Sequence, residues 1–310
     1  MLRESVLGRV LSCLYAATVS EPRHQASDRI WGGDIPSLTA PQSSAELRQI
    51  AASLRQAGCV FAEDEARLLL AERFTPPELD AMVARRVSGE PLEHILGWAA
   101  FCGLKIMVEP GVFVPRRRTE FVVDQVVTLM RPGAVVVDLC CGSGAISAAL
   151  LVRVPEVELY AADIDPVAVR CARRNIGDRG TVCQGDLYAA LPAEVAGRVD
   201  LVVCNAPYVP TEAIAFMPAE ARLHEPRVAL DGGRDGLDIQ RRVIAEAPDW
   251  LLPGSHLLIE TSRAQASSTV ATLRRAGLSA TVAHSDDLDA TVAIGRNPGR
   301  SLDIDPRSKP

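Results

Sequence analysis

Residues 201–204, Leu-Val-Val-Cys, are an apolar run that ends in Asn205, Ala206, Pro207 and Tyr208. A short apolar, β-branched run bounded by turn residues predicts a buried strand. The group that closes it carries chemistry an ordinary turn does not need. The Asn205 side-chain carbonyl and the Ala206 backbone carbonyl are acceptors that can together hold both hydrogens of a planar NH2 group. Such a nitrogen is a weak nucleophile because its lone pair is delocalised. Fixing its hydrogens orients the lone pair for attack on a methyl group. Pro207 restricts the loop, and Tyr208 offers a flat face for an amide or a ring. The plainer alternative is a turn in which Asn caps the backbone and Tyr packs.

Three earlier strand ends bear on that choice. Asp138 closes the run Val-Val-Val-Asp-Leu, and Cys140, Cys141, Gly142, Ser143 and Gly144 lead from it into a helix. Glycines there permit a tight turn and close approach of a ligand to the backbone, and a helix N-terminus favours an anionic group. A glycine turn alone is weak evidence, since geometry alone can require it. Asp163 ends the next apolar run, followed by Ile164, and a carboxylate at that place suits ribose hydroxyls. Asp165 is explained as a helix cap. Asp186 and Leu187 follow a third short run, placed to meet a base. An NAD site predicts Gly-x-Gly-x-x-Gly, but Gly142 and Gly144 are followed by Ser147 where the last glycine is due. The cysteines of the turn are read as packing residues.

The elements that must position these residues alternate. Strands are expected at Val135–Leu139, 157–162, 181–184, 199–204 and 256–260, and a terminal strand pair near 279–295. Helices are expected at 144–153, 166–175, 236–250 and 264–276. Such alternation predicts an α/β fold with a mostly parallel sheet, helices on both faces, and a ligand at the carboxyl ends of the strands. Residues 43–97 read instead as a small helical domain, with capping residues, acidic first turns and glycine stops. Residues 98–115 read as a β-hairpin connector turning at Glu109-Pro110-Gly111, and 116–300 as the α/β domain. Residues 1–42 are a poorly specified extension and 301–310 a tail.

The chain has 310 residues, 48% of them hydrophobic and 23% charged, with a net charge of −6. That composition is globular, and it lacks the basic surplus of nucleic-acid binders. The cysteines at 13, 59, 102, 140, 141, 171, 183 and 204 form no Cys-x-x-Cys pair, which points to a reducing cytoplasm without disulfides or a metal site. No apolar run approaches the ~20 residues of a membrane span. Glu4 and Arg9 interrupt the apolar N-terminal stretch that would otherwise resemble an export signal.

Taken in order, Asp-Leu-Cys-Cys-Gly-Ser-Gly, Ala-Ala-Asp-Ile-Asp-Pro, Gln-Gly-Asp-Leu-Tyr and Asn-Ala-Pro-Tyr resemble the class I S-adenosylmethionine-dependent methyltransferases, which have a Rossmann-like sheet with an antiparallel terminal strand. The stretches SGEPLEHILGWAAFCGLKIMVEPGVFVPRRRTEFVV and HEPRVALDGGRDGLDIQRRVI narrow the resemblance to the release factor glutamine methyltransferases, over residues 45–296. The resemblance implies S-adenosylmethionine as cofactor. Cys140 to Gly144 would line its methionine part with Asp138 behind them, Asp163 and Ile164 its ribose, and Asp186 and Leu187 the adenine region. Asn205, Ala206, Pro207 and Tyr208 would bind the amide of a release factor's Gly-Gly-Gln glutamine. Arg116, Thr119 and Glu120 would lie at the mouth of the site, and the helical domain would recognise the protein substrate. Alternatives are a divergent methyltransferase of small-molecule amides or amines, or of an adenine amino group, and a non-catalytic cofactor-binding module. The chain departs from the family pattern at Ala206, where a proline is usual, at Cys140, where a glycine is usual, and at Glu260-Thr261-Ser262, where Glu-Ile-Gly is usual.

Overall fold

The computed structural model describes residues 44–72 and 74–299; the expected extension over 1–42 and the tail over 301–310 lie outside them. By internal contacts the chain divides into two units, one holding residues to Gly97 together with Ala219–His224, the other Trp98–Pro218 and Glu225 onward.

In the first unit, amphipathic repeats form α1 (Ser44–Gln56), α2 (Ala62–Ala71), α3 (Pro76–Val87) and the short α4 (Leu92–Leu96). Their apolar stripes meet in one cluster around Leu54, Ala66, Leu69 and Ile95. Thr75 and Glu78 form a capping box at the start of α3, where Pro76 sets the first turn. A fifth helix, α5 (Ala219–His224), comes from far along the chain. Its Glu220 pairs with Arg86 at 3.0 Å, and Arg86 is also held by both oxygens of Glu65, at 2.6 and 3.1 Å.

The second unit opens with a hairpin of β1 (Trp98–Phe101) and β2 (Leu104–Met107). The hairpin was expected to turn at Glu109-Pro110-Gly111, but it turns at Cys102 and Gly103. Both have positive φ, 50° and 76°, as the primed two-residue turns that match strand twist require. Glu109-Pro110-Gly111 makes a separate turn, closed by Val112 N–H donating to the Glu109 carbonyl at 3.0 Å. Glu120–Leu129 forms α6. Then follow β3 (Val135–Leu139), α7 (Ala145–Arg153), β4 (Glu158–Asp163), α8 (Pro166–Ile176), β5 (Thr181–Gln184) and β6 (Val199–Cys204). The chain ends with α9 (Asp238–Trp250), β7 (Leu251–Glu260), α10 (Ala266–Arg275), β8 (Ser279–Ser285) and β9 (Ala290–Arg296).

The sheet order is β5-β4-β3-β6-β7-β9-β8, parallel except that β9 runs antiparallel to both of its neighbours. Its central strands are buried on both sides, so they read as continuous apolar runs. Val136, Leu201 and Val203 face one core with α6 and α7. Val135, Val137, Leu139 and Val202 face another with α9 and Tyr188. This is the mostly parallel α/β sheet expected from the strand-helix alternation, with the antiparallel last strand that the class I methyltransferase resemblance implies. Asp138, Asp163, Asn205 and Glu260 all stand at or just past the carboxyl ends of adjacent strands. No helix among the described residues is long and apolar enough to cross a membrane.

Candidate active site

The turn after β3 is built for close approach. Cys140 has φ 56° and Gly142 φ 55°, and space is open where a Gly142 side chain would stand. A left-handed residue with a Cβ costs about 1 kcal/mol, so Cys140 holds strain that a glycine would not. Gly144 is required for packing, because a Cβ there would lie 3.1 Å from Ala172 and Ile176 of α8. Cys141 N–H ties the turn to the Ala162 carbonyl of β4 at 3.1 Å. The Ser143 carbonyl accepts from Asn175 Nδ2 at 2.8 Å.

Asp138 is fully buried; one oxygen accepts from Ser147 Oγ at 2.6 Å and the other, Oδ1, meets no donor among the described residues. Burial pushes its pKa up to about 7. Asp163 accepts from the Gly142 and Asp165 backbone N–H groups at 2.8 and 2.9 Å. Burial raises its pKa, and these backbone donors oppose the rise. The carboxylate thus joins the end of β4 to the glycine turn and keeps further lone pairs for hydroxyl donors. Ile164 beside it is 53% exposed, a large apolar side chain at the surface. Asp186 is paired with Arg242 at 2.6 Å, and Leu187 is buried at φ 50°. Strained residues beyond the ends of two strands, β3 and β5, on either side of β4, are what a ligand cradle tends to hold.

Asn205 follows β6 directly, half-buried, and its Nδ2 donates to Thr119 Oγ1 at 3.4 Å. No donor among the described residues meets Asn205 Oδ1 or the Ala206 carbonyl. Ala206 is buried. The loop beyond is strapped from outside: Val209 N–H donates to Leu230 O at 3.0 Å, Gly232 N–H to Val209 O at 2.9 Å, and Gln265 Nε2 to Tyr208 O at 3.0 Å. Burial pushes the Tyr208 hydroxyl up to about 12, against the nearby Arg118 guanidinium, which stands 5.8 Å from the ring centroid.

Of the residues expected at the mouth, Thr119 is brought to Asn205. Arg116 pairs with the buried Glu225 at 2.5 Å. Glu120 turns away and accepts from the Cys102 N–H at 2.8 Å. Sequence reasoning passed over Glu260 as a site residue, although it ends an apolar strand just as Asp138 and Asp163 do, and that was the available signal. It is buried, Arg118 Nε lies 3.4 Å from its Oε1, and neither oxygen has a hydrogen-bond partner among the described residues.

The glycine cradle, the orphaned Asp138 oxygen and the Asp163 carboxylate suit a cofactor that brings a carboxylate, hydrogen-bond donors and ribose hydroxyls, such as S-adenosylmethionine. Residues 103–236 match the family model described as "Methyltransferase small domain". A "Release factor glutamine methyltransferase" of Geobacter sulfurreducens is 39% identical over 210 residues, 66% of this chain and 73% of that one. One of the same name from Streptomyces coelicolor is 40% identical over 240 residues, covering 71% of this chain and 85% of that one. A "4-amino-L-phenylalanine/4-methylamino-L-phenylalanine methyltransferase" of Streptomyces pristinaespiralis is 35% identical over 270 residues, covering 84% and 89%. On sequence, glycine turn and strand-end geometry together, the chain belongs to the release factor glutamine methyltransferase family.

Proposed function

We propose that the protein methylates the side-chain amide nitrogen of the Gly-Gly-Gln glutamine in a peptide chain release factor, using S-adenosylmethionine, in the cytoplasm. The observation that carries this is the pair of unpartnered acceptors, Asn205 Oδ1 and the Ala206 carbonyl, at a strand end beside the glycine cradle. When bound, S-adenosylmethionine supplies an electrophilic methyl group on its sulfonium.

Cys140 to Gly144 and Asp163 would hold that cofactor, with Asp186 and Leu187 beside its base. Asn205 Oδ1 and Ala206 O accept the two N–H bonds of the glutamine amide, which turns the nitrogen lone pair out of conjugation and toward the incoming carbon. These acceptors also stabilise the positive charge that grows on nitrogen as the bond to carbon forms, so no base is needed beforehand. The methyl–sulfur bond would break as the nitrogen–carbon bond forms, its electron pair staying on the sulfur of the departing thioether, while one N–H proton passes to solvent and one stays with its acceptor. The Ala206 acceptor is a backbone atom, so replacing the usual proline leaves it in place. The helical unit would recognise the release factor.

Asn205→Ala tests the mechanism. Methyl transfer from labelled cofactor to the release factor is expected to fall by ~100-fold or more, with cofactor binding retained. Full turnover in that variant would remove the assignment. A second reading, methylation of a small-molecule arylamine, is favoured by the similarity to the Streptomyces pristinaespiralis enzyme over most of both chains. Label that reaches 4-amino-L-phenylalanine and leaves the release factor unlabelled would establish that reading instead.

A further inference from the structure

An amide side chain presents an acceptor from one edge and two donors from the other, and rotation by half a turn exchanges them. The chemistry proposed for Asn205 works only in one orientation. With Oδ1 toward the substrate it accepts an N–H; with Nδ2 there it would repel one. Something must select between the two.

The partner of Asn205 within the protein is Thr119 Oγ1, at 3.4 Å from Nδ2. A hydroxyl can accept or donate, so by itself it selects neither orientation. Glu260 removes that freedom. Burial pushes its pKa up, while Arg118 and the Thr119 hydroxyl beside it act in the opposite direction. The carboxylate sits beside the Thr119 hydroxyl, with the Arg118 guanidinium 3.4 Å away as counter-charge and neither oxygen engaged by a well-aligned donor among the described residues. Ionised, it has acceptor capacity only, and rotation of the Thr119 hydroxyl satisfies it. The single Thr119 proton is drawn toward it. Thr119 then has only lone pairs left for Asn205, whose Nδ2 must face Thr119 and whose Oδ1 must face the substrate.

We infer that Glu260 and Thr119 are positioning residues, a relay of hydrogen-bond polarity that fixes which edge of the Asn205 amide meets the substrate. The inference rests on the methyl-transfer reading of Asn205. It also explains why an acid stands buried at the end of β7, next to the strand that carries Asn205. A buried carboxylate is costly to keep unless it is paired or used. The relay sets specificity as well: a site locked as an acceptor favours groups that bring two N–H bonds and disfavours hydroxyl or carbonyl oxygens in that place.

The test uses the full chain, Thr119→Val, Thr119→Ser, Glu260→Gln and the double variant Thr119→Val/Glu260→Gln. Cofactor binding and thermal melting are followed alongside turnover on the release factor. Glu260→Gln puts an amide that can donate where only an acceptor stood, and Thr119→Val removes the hydroxyl at equal size while leaving the Arg118–Glu260 pair intact. Each is expected to lower kcat by ~100-fold, with cofactor affinity unchanged. The double variant is expected to be no worse than Thr119→Val, since residues acting through one chain of contacts are not additive, and Thr119→Ser to recover most of what Thr119→Val loses. Wild-type kcat in Glu260→Gln or Thr119→Val would overturn the relay, and so would losses that multiply in the double variant. A wild-type protein that binds cofactor and labels no release factor would instead count against the proposed substrate, and the same four variants would then be compared on the arylamine.

Discussion

At the scale of single residues, the site depends on buried carboxyls placed at strand ends. Asp138 shows what that placement costs. Its folded pKa is about 7 against an ordinary 3.8, so between those values the native state holds a proton that the unfolded chain has lost. Stability therefore falls as pH rises through that window, and the loss is complete above it. The shift corresponds to about 4 kcal/mol as an upper bound. Asp138→Asn keeps a partner for Ser147 without the charge. Its stability relative to the parent is expected to grow from pH 4 to pH 8 by up to that amount, read from urea unfolding at each pH. A difference that stays flat with pH would mean that Asp138 does not carry the burial penalty. The placements legible from sequence were the local ones: Asp163 at the end of its strand, Gly142 and Gly144 in their turn, Asn205 just past its run. The Thr119–Asn205 contact was not legible, because it joins positions 86 residues apart and no local pattern marks it.

At the scale of elements, the Asn205–Tyr208 loop proposed to be catalytic is shaped from behind by glycines. A Cβ on Gly232 would stand 2.6 Å from the Pro207 carbonyl and 2.7 Å from the Gly236 carbonyl, both backbone atoms that cannot step aside. Gly236 would meet Tyr208 O at 2.2 Å. The Asp-Gly-Gly-Arg-Asp-Gly stretch is thus the wall against which the Pro207–Tyr208 backbone is held, which its glycine content hinted at without saying what it packs on. Gly232→Ala is expected to destabilise the protein by about 2–3 kcal/mol and to lower kcat. Gly277→Ala is the comparison: φ is 85° there but nothing lies within 4 Å of the new carbon, so the cost is about 1 kcal/mol with turnover unchanged. Equal effects of the two on kcat would deny the wall its role. The strands and helices of the sheet were readable to within a few residues from apolar periodicity. The hairpin turn was not: Pro110-Gly111 is the stronger turn dipeptide, and Cys102 adopts positive φ against its own preference because the register of β1 and β2 demands it.

At the scale of the whole molecule, the helical unit carries a buried charged centre beside its apolar core. Arg86 is 4% exposed; burial works against its charge, but Glu65 and Glu220 outweigh that and raise its pKa. Glu65→Ala takes away the buried partner that holds Arg86 with both oxygens and leaves the cation to the partly exposed Glu220, so it is expected to cost about 3 kcal/mol. Glu220→Ala, whose side chain is 28% exposed, leaves the Glu65 pair in place and should cost about 1 kcal/mol. Guanidinium unfolding of both variants checks the ranking, and equal losses would contradict it.

The membership of α5 in that unit has a consequence for inheritance. The unit is encoded by two separate stretches of gene, one ending at Gly97 and one spanning Ala219–His224. An exchange of the first stretch alone would part Arg86 from the Glu220 it folds against. A chimera built on this chain is therefore expected to keep Arg86 and Glu220 from one parent, although 134 positions separate them in the sequence.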